Sequence, residues 1–119
     1  MDKHLLDDLS IQIIEIVNKA ADSVMDIYLR KEILQNTKSD GSPVTEADLT
    51  SHKVISEGLN LLPQSFPILS EEGNKRFNEK IRVFWLVDPL DGTKEFIKKT
   101  GEFTINIALI EGGKPILGI

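Results

Sequence analysis

The sequence predicts a layered α/β chain, α+β in the order of its elements. A long helical periodicity opens it, two short apolar strands each run into paired acids, and a strand–turn–strand pattern closes it. Across residues 5–29 the apolar positions are Leu6, Leu9, Ile13, Ile16, Val17, Ala20, Val24, Ile27 and Tyr28. Steps of three and four put them on one side of a helix built to lie on a sheet. His4, alone near the terminus, reads as solvated.

Residues 36–42 are polar, contain Gly41 and precede Pro43, and read as a mobile loop. Thr45 then opens a second helix, over residues 46–61, and Asp48 stands where the acid of a capping box belongs. On local grounds capping suffices to explain Asp48. A short strand over 67–70 runs into Glu71-Glu72-Gly73, and residues 74–82 form a charged connection. Residues 83–87 make the next strand, 93–98 a helical turn, and 103–110 a strand. A turn at 111–114 returns the chain into a last strand over 115–119, and that break within a strand suggests the first part of a longer protein.

Composition narrows the function. A chain of 119 residues with 40% hydrophobic content suits a single domain with its own core. The absence of cysteine removes disulfides and thiolate metal sites and suits a cytoplasmic protein. No apolar run is long enough to cross a membrane, and the acidic N-terminus is not a signal peptide. Nineteen acids against 14 basic residues give a net charge of −5, the wrong sign for binding a nucleic acid polymer. An anionic ligand on such a surface needs a cation between.

Both acid clusters follow strands: Glu71-Glu72 after residues 68–70, and Asp88-Pro89-Leu90-Asp91 after Trp85-Leu86-Val87. Oxygen donors without His or Cys select hard cations, Mg²⁺ or Ca²⁺. Pro89 stiffens the turn, Gly92 permits an unusual backbone angle, and the amides of Gly92 and Thr93 can face an anion if a helix starts there. The bland alternative is an Asx-type turn capping a helix, with the glutamates as solvated surface. Haloacid-dehalogenase-like phosphatases also place an Asp-rich DGT segment after a strand, but with their aspartates two apart. Here Asp88 and Asp91 are three apart, which turns the second carboxylate elsewhere and disfavours that chemistry.

The run Asp88-Pro89-Leu90-Asp91-Gly92-Thr93 resembles the signature of the inositol monophosphatase superfamily. Ser42-Pro43-Val44-Thr45-Glu46-Ala47-Asp48 and Leu69-Ser70-Glu71-Glu72 match two further family segments in order and spacing. Lys94-Glu95-Phe96-Ile97 and the stretch from Gly101 to Ala108 are most similar to the CysQ-type 3′(2′),5′-bisphosphate nucleotidases, whereas inositol monophosphatases tend to carry Thr-Asn after the DGT threonine. The resemblance implies the N-terminal portion of an αβαβα sandwich and a Mg²⁺-dependent, lithium-sensitive phosphatase. Its substrate would be a small nucleotide, adenosine 3′,5′-bisphosphate, cleared to AMP as a by-product of sulfate activation.

The resemblance also assigns roles. Glu71, Asp88 and the Leu90 carbonyl would hold one Mg²⁺, and Asp88 with Asp91 a second. Thr93, bonded to Asp48, would orient the attacking water, and the Gly92 and Thr93 amides would grip the phosphate. Glu72 aligns less well than Glu71 with the family's ligand. A further metal-binding aspartate and most base and ribose contacts are expected from a second half, so residues 1–119 alone are expected to be inactive. The alternatives are an inositol or sugar monophosphatase, or a non-catalytic cation-binding fragment. The resemblance places the protein in the cytoplasm or peripherally on the cytoplasmic face of the inner membrane, and leaves oligomeric state open.

Overall fold

The structure is a computed structural model that describes residues 1–73 and 80–119. Helix α1 spans Lys3–Tyr28, two residues earlier at its start than the periodicity alone predicts, because Asp2 caps it by accepting from the His4 amide at 2.8 Å. Its buried residues, Leu9, Ile13, Ala20, Val24 and Ile27, form one stripe. Helix α2 spans Glu46–Asn60 and lies against α1. Its buried stripe reads Ala47, Asp48, Ser51, Ile55 and Leu59, apolar at both ends and polar in the middle.

Residues 36–42 correct the expectation of a loop throughout. Strand β1 (Gln35–Thr37) pairs antiparallel with β2 (Pro43–Thr45), and only the turn between them is irregular. That turn is tied down at Lys38 N–H, which donates to the Ser42 carbonyl at 2.7 Å, and by Asp40, which accepts from the Ser42 amide at 3.0 Å. A polar, glycine-containing stretch looks alike in sequence whether or not its flanks pair. Here the pairing also sets Thr45 at the entrance of α2.

The main sheet has the order β3-β4-β5-β6, with β3 at Ile68–Ser70, β4 at Val83–Asp91, β5 at Thr104–Glu111 and β6 at Lys114–Gly118. β3 runs parallel to β4, and the other neighbours are antiparallel. Of the predicted connection over 74–82, residues 74–79 lie outside the described residues. β5 and β6 are joined through Gly112 and Gly113, whose φ of 57° and 81° suit a two-residue hairpin turn with both central residues left-handed.

β4 differs from expectation in length. It continues past Val87 to Asp91, so the two aspartates belong to a strand end and not to a loop beyond it. β5 holds them there: Asp88 lies opposite Asn106 and Asp91 opposite Thr104, and a register irregularity between the two absorbs Pro89 and Leu90.

One face of the sheet carries the core. Trp85 and Val87 of β4 and Ile107 and Leu109 of β5 pack with Leu9, Ile13 and Ala20 of α1 and Ile55 and Leu59 of α2. Each such side chain contributes roughly 1.5–3 kcal/mol, so this cluster outweighs any single cap. The other face is open, with Leu86 44% exposed between two buried neighbours. Asp88, two residues on, shares the strand face of Leu86. A second cluster of Val24, Ile27, Ala47, Leu90 and Phe96 seats the short helix α3, Thr93–Ile97. No helix among the described residues is long and apolar enough to cross a membrane.

The α1–α2 contact is close at one point. A Cβ on Gly58 would lie 2.8 Å from Cγ1 of Ile16 and 3.1 Å from its Cγ2. The branched side chain has little freedom to retreat. Gly58→Ala is therefore expected to lower stability by about 1–2 kcal/mol, overpacking outweighing the helix-propensity gain. Pairing it with Ile16→Ala should remove that increment in a denaturant-unfolding cycle.

Candidate active site

Three segments meet at the end of the sheet nearest the N-terminus of α2: the end of β3, the end of β4 and the start of α3. Asp48 joins α2 to the last of these. Its carboxylate is 1% exposed and divides its work between its two oxygens. Oδ2 accepts from the Thr45 amide at 2.8 Å and the Thr45 hydroxyl at 2.7 Å, while Thr45 Oγ1 accepts from the Ala47 amide at 3.1 Å, a capping box. Oδ1 accepts from the Thr93 hydroxyl at 2.8 Å, across 45 residues of sequence. The local and the long-range explanations of Asp48 hold together, one on each oxygen. A carboxylate only accepts, so the Thr93 proton points into Asp48 and the lone pairs of Oγ1 point away from it.

Gly92 precedes Thr93 as the N-cap of α3, with φ +90° and no side-chain cap, so no side chain covers the amides at this helix start. A Cβ there would stand 2.6 Å from the Glu102 carbonyl oxygen. Only glycine brings the backbone so close to the 102–103 segment in that conformation.

At the end of β4, Pro89 is fully buried and its carbonyl accepts from Ser51 Oγ at 2.6 Å. Burial pushes the Asp88 carboxyl above the usual carboxylate range, and so do the negative charges of Asp91, Glu71 and Asp48; the Leu90 amide, bonded to Asp88, pulls the other way. These carboxylates therefore stand within electrostatic reach of one another, as a site awaiting a cation would arrange them.

At the end of β3, the Glu71 amide donates to the Val87 carbonyl at 3.2 Å, which carries the parallel pairing one residue on and sets Glu71 beside the Val87–Asp88 step of β4. Glu72 turns to Lys38, Nζ to Oε1 at 2.6 Å, with its own side chain only 8% exposed. Burial disfavours the Lys38 charge, but Glu72, and behind it Asp48 and Glu71, outweigh that and hold its ammonium above the ordinary lysine range. Lys38 is thus the cation that the structure itself places beside these acids.

The structure gathers Glu71, Asp88, Leu90, Asp91, Gly92 and Thr93 at one sheet end and bonds Thr93 to Asp48. It does not converge the acids fully: among the described residues no group of three or more His, Cys, Asp or Glu side chains is close enough to hold a metal ion. Asp88 opens on a hollow with Leu86, Asn106 and Ala108, and Asp91 on another with Glu95 and Glu102. In chemistry the set still fits a hard divalent cation, since every candidate donor is oxygen and Asp88 bears the mark of crowded like charge. Three contributors escape the sequence reading: Lys38, Ser51 and His52. Lys38 sits in the stretch read as a loop. Ser51 and His52 had a visible signal, for with Asp48 they are polar residues at i, i+3 and i+4 on a stripe that continues through Ile55 and Leu59.

A sequence model described as the inositol monophosphatase family matches residues 5–119. The chain belongs to this family. It is 49% identical over 111 residues to the 3′(2′),5′-bisphosphate nucleotidase CysQ of Salmonella typhimurium, covering 91% of this chain and 45% of that protein. Among solved structures it matches CysQ of Bacteroides thetaiotaomicron, described as a bacterial member of the inositol monophosphatase family, with TM-score 0.75 and 39% identity over 93% of this chain and 41% of that one. The extragenic suppressor protein suhB of Bartonella henselae overlays with TM-score 0.83 at 28% identity, covering 93% of this chain and 43% of that chain. The fold is therefore the N-terminal portion of the inositol monophosphatase fold, and the chain spans less than half the length of the relatives it matches.

Two substitutions test the geometry through stability alone. Asp48→Ala removes the acceptor from two buried hydroxyls and an amide and is expected to cost at least about 2 kcal/mol, whereas Asp48→Asn still caps α2 and should cost about 1 kcal/mol or less. Gly92→Ala, forced to a left-handed angle against a carbonyl, should cost at least about 2 kcal/mol. Chemical denaturation of the three variants gives the order directly.

Proposed function

We propose that residues 1–119 are the N-terminal part of a sugar-phosphatase-like domain whose complete protein is a Mg²⁺-dependent phosphomonoesterase. Its reaction removes the 3′-phosphate of adenosine 3′,5′-bisphosphate and leaves AMP and phosphate. The observation that carries this is the Asp48–Thr93 hydrogen bond at 2.8 Å, set beside the gathered carboxylates of β3 and β4. The choice of substrate rests on the 49% identity to a bisphosphate nucleotidase, since the fold alone also resembles suhB. A cytoplasmic enzyme clearing a by-product of sulfate activation follows from the same reading.

In this mechanism Glu71, Asp88 and the Leu90 carbonyl hold one Mg²⁺, and Asp88 and Asp91 a second. When bound, such ions polarise the phosphoryl group and acidify water. The chain's own residues do the rest. Asp48 fixes the Thr93 proton inward, so Thr93 Oγ1 presents lone pairs to an attacking water and aligns it. The amides of Gly92 and Thr93 receive the phosphate oxygens, unhindered by a cap side chain. Asp48→Asn spoils the alignment differently from the cap: the amide nitrogen turns towards Thr93 and donates, which occupies the lone pair and reverses the hydroxyl.

The full-length protein is expected to release phosphate from adenosine 3′,5′-bisphosphate with Mg²⁺, to stop in excess EDTA, and to be inhibited by Li⁺ as the family resemblance implies. Undiminished activity in EDTA overturns the metal reading. Faster release from inositol 1-phosphate moves the assignment to a monophosphatase, and Mg²⁺ binding without turnover on either substrate leaves a non-catalytic cation-binding protein. Thr93→Ala and Asp48→Asn should each lower kcat by roughly 10²-fold, the double variant little further. Additive losses in that cycle would separate the two residues.

A further inference from the structure

Helix α2 touches each of the three segments that carry the site, and with a different side chain each time. Asp48 holds Thr93 at the start of α3, Ser51 holds the Pro89 carbonyl within the Asp88–Asp91 segment, and His52 reaches the end of β3. The first two rest on buried side chains of the helix. The third contact has the most to restrain, because Glu71 and Glu72 lie where the chain leaves the sheet.

His52 Nδ1 lies 2.8 Å from Ser70 Oγ. Ser70 is 3% exposed, and its hydroxyl also receives the Glu72 amide at 3.4 Å. The Ser70 carbonyl in turn accepts from the Gly73 amide at 3.1 Å, closing a turn over Glu71 and Glu72. The imidazole lies directly under that turn: a Cβ on Gly73 would come within 3.1 Å of His52 Cε1 and 3.4 Å of Ser70 Cβ. Ring, hydroxyl and glycine thus form one packed unit whose outer residue is Glu71. We propose that His52 is a positioning residue: through Ser70 it locks the 70–73 turn and so sets the Glu71 carboxylate for its cation.

This inference rests on the metal role of Glu71 proposed above, and its test separates the two. In the full-length protein, His52→Ala loses the bond to Ser70, while His52→Asn can place a polar atom near the position of Nδ1. Mg²⁺ binding is measured by titration calorimetry and by the Mg²⁺ concentration for half-maximal activity, and amide exchange of the metal-free protein is followed by mass spectrometry. Outer-shell partners of this kind are worth roughly 10–100-fold in metal affinity. His52→Ala is therefore expected to weaken Mg²⁺ about 10-fold, leave KM for the bisphosphate within about threefold, and speed exchange in peptides covering 70–73 but not those covering 86–93. His52→Asn should restore most of the affinity and the protection. Unchanged Mg²⁺ affinity in His52→Ala overturns the proposal, and so does a His52→Asn variant as impaired as the alanine, which would mean that the ring only fills space. If the wild-type protein proves indifferent to Mg²⁺, the functional reading fails, and the exchange pattern still decides whether His52 locks the turn.

Discussion

The Asp48 carboxylate is the point on which this arrangement turns. It is buried, and burying a carboxylate is costly unless its oxygens are satisfied. Here one oxygen is satisfied from within its own helix start and the other from a residue far along the chain. The helix cannot begin correctly without placing Asp48, and Asp48 cannot be satisfied without drawing in the start of α3. Local folding and assembly of the site are therefore the same event. Around that point the apolar cluster of Trp85, Ile107, Leu109 and the two long helices supplies the rigidity, and Leu90 and Phe96 anchor α3 from below.

The site gathers negative charge that its own chain only partly balances. Asp88 is pushed towards its protonated form by burial and by its acidic neighbours, while Lys38 is held in its charged form by Glu72, Asp48 and Glu71 against the opposing effect of burial. The two shifts have one origin. Carboxylates confined at a sheet end raise the affinity for any positive charge that can reach them, proton, ammonium or metal ion. The β1–β2 hairpin brings the ammonium. That hairpin is short and largely exposed, so the local ion pair rests on a less deeply packed element than the acids it faces.

Much of this was legible in the sequence, because it depends on patterns confined to short stretches. The stripes of α1 and α2, the Thr45 cap, the closing hairpin and the family motifs at 42–48, 69–72 and 88–93 all lie within reach of a local reading. What escaped depends on pairing across distance. Whether residues 36–42 form a loop or a hairpin is decided by Gln35 meeting Thr45, and the extent of β4 by Thr104 meeting Asp91. Similarly, Asp48 looked like a choice between cap and function, since a one-letter string shows a carboxylate but not its two oxygens. Ser51 and His52 were readable in principle as polar intrusions in an apolar stripe, yet their partners, the Pro89 carbonyl and Ser70, are fixed only by the tertiary fold.

The irregularity between Asp88 and Asp91 makes distance along the chain as important as chemical type. In a regular strand, residues three apart face opposite ways, and here Pro89 and Leu90 are instead taken up in a break of register while their flanks stay paired with β5. Losing or gaining one residue between the aspartates would swap inside for outside for everything downstream, from Leu90 in the core to Gly92 at its glycine-only contact. A single-codon deletion there leaves the gene in frame, yet it amounts to a frameshift in the strand. Length polymorphism should thus be tolerated at the turn of the 38–42 hairpin long before it is tolerated between Asp88 and Asp91.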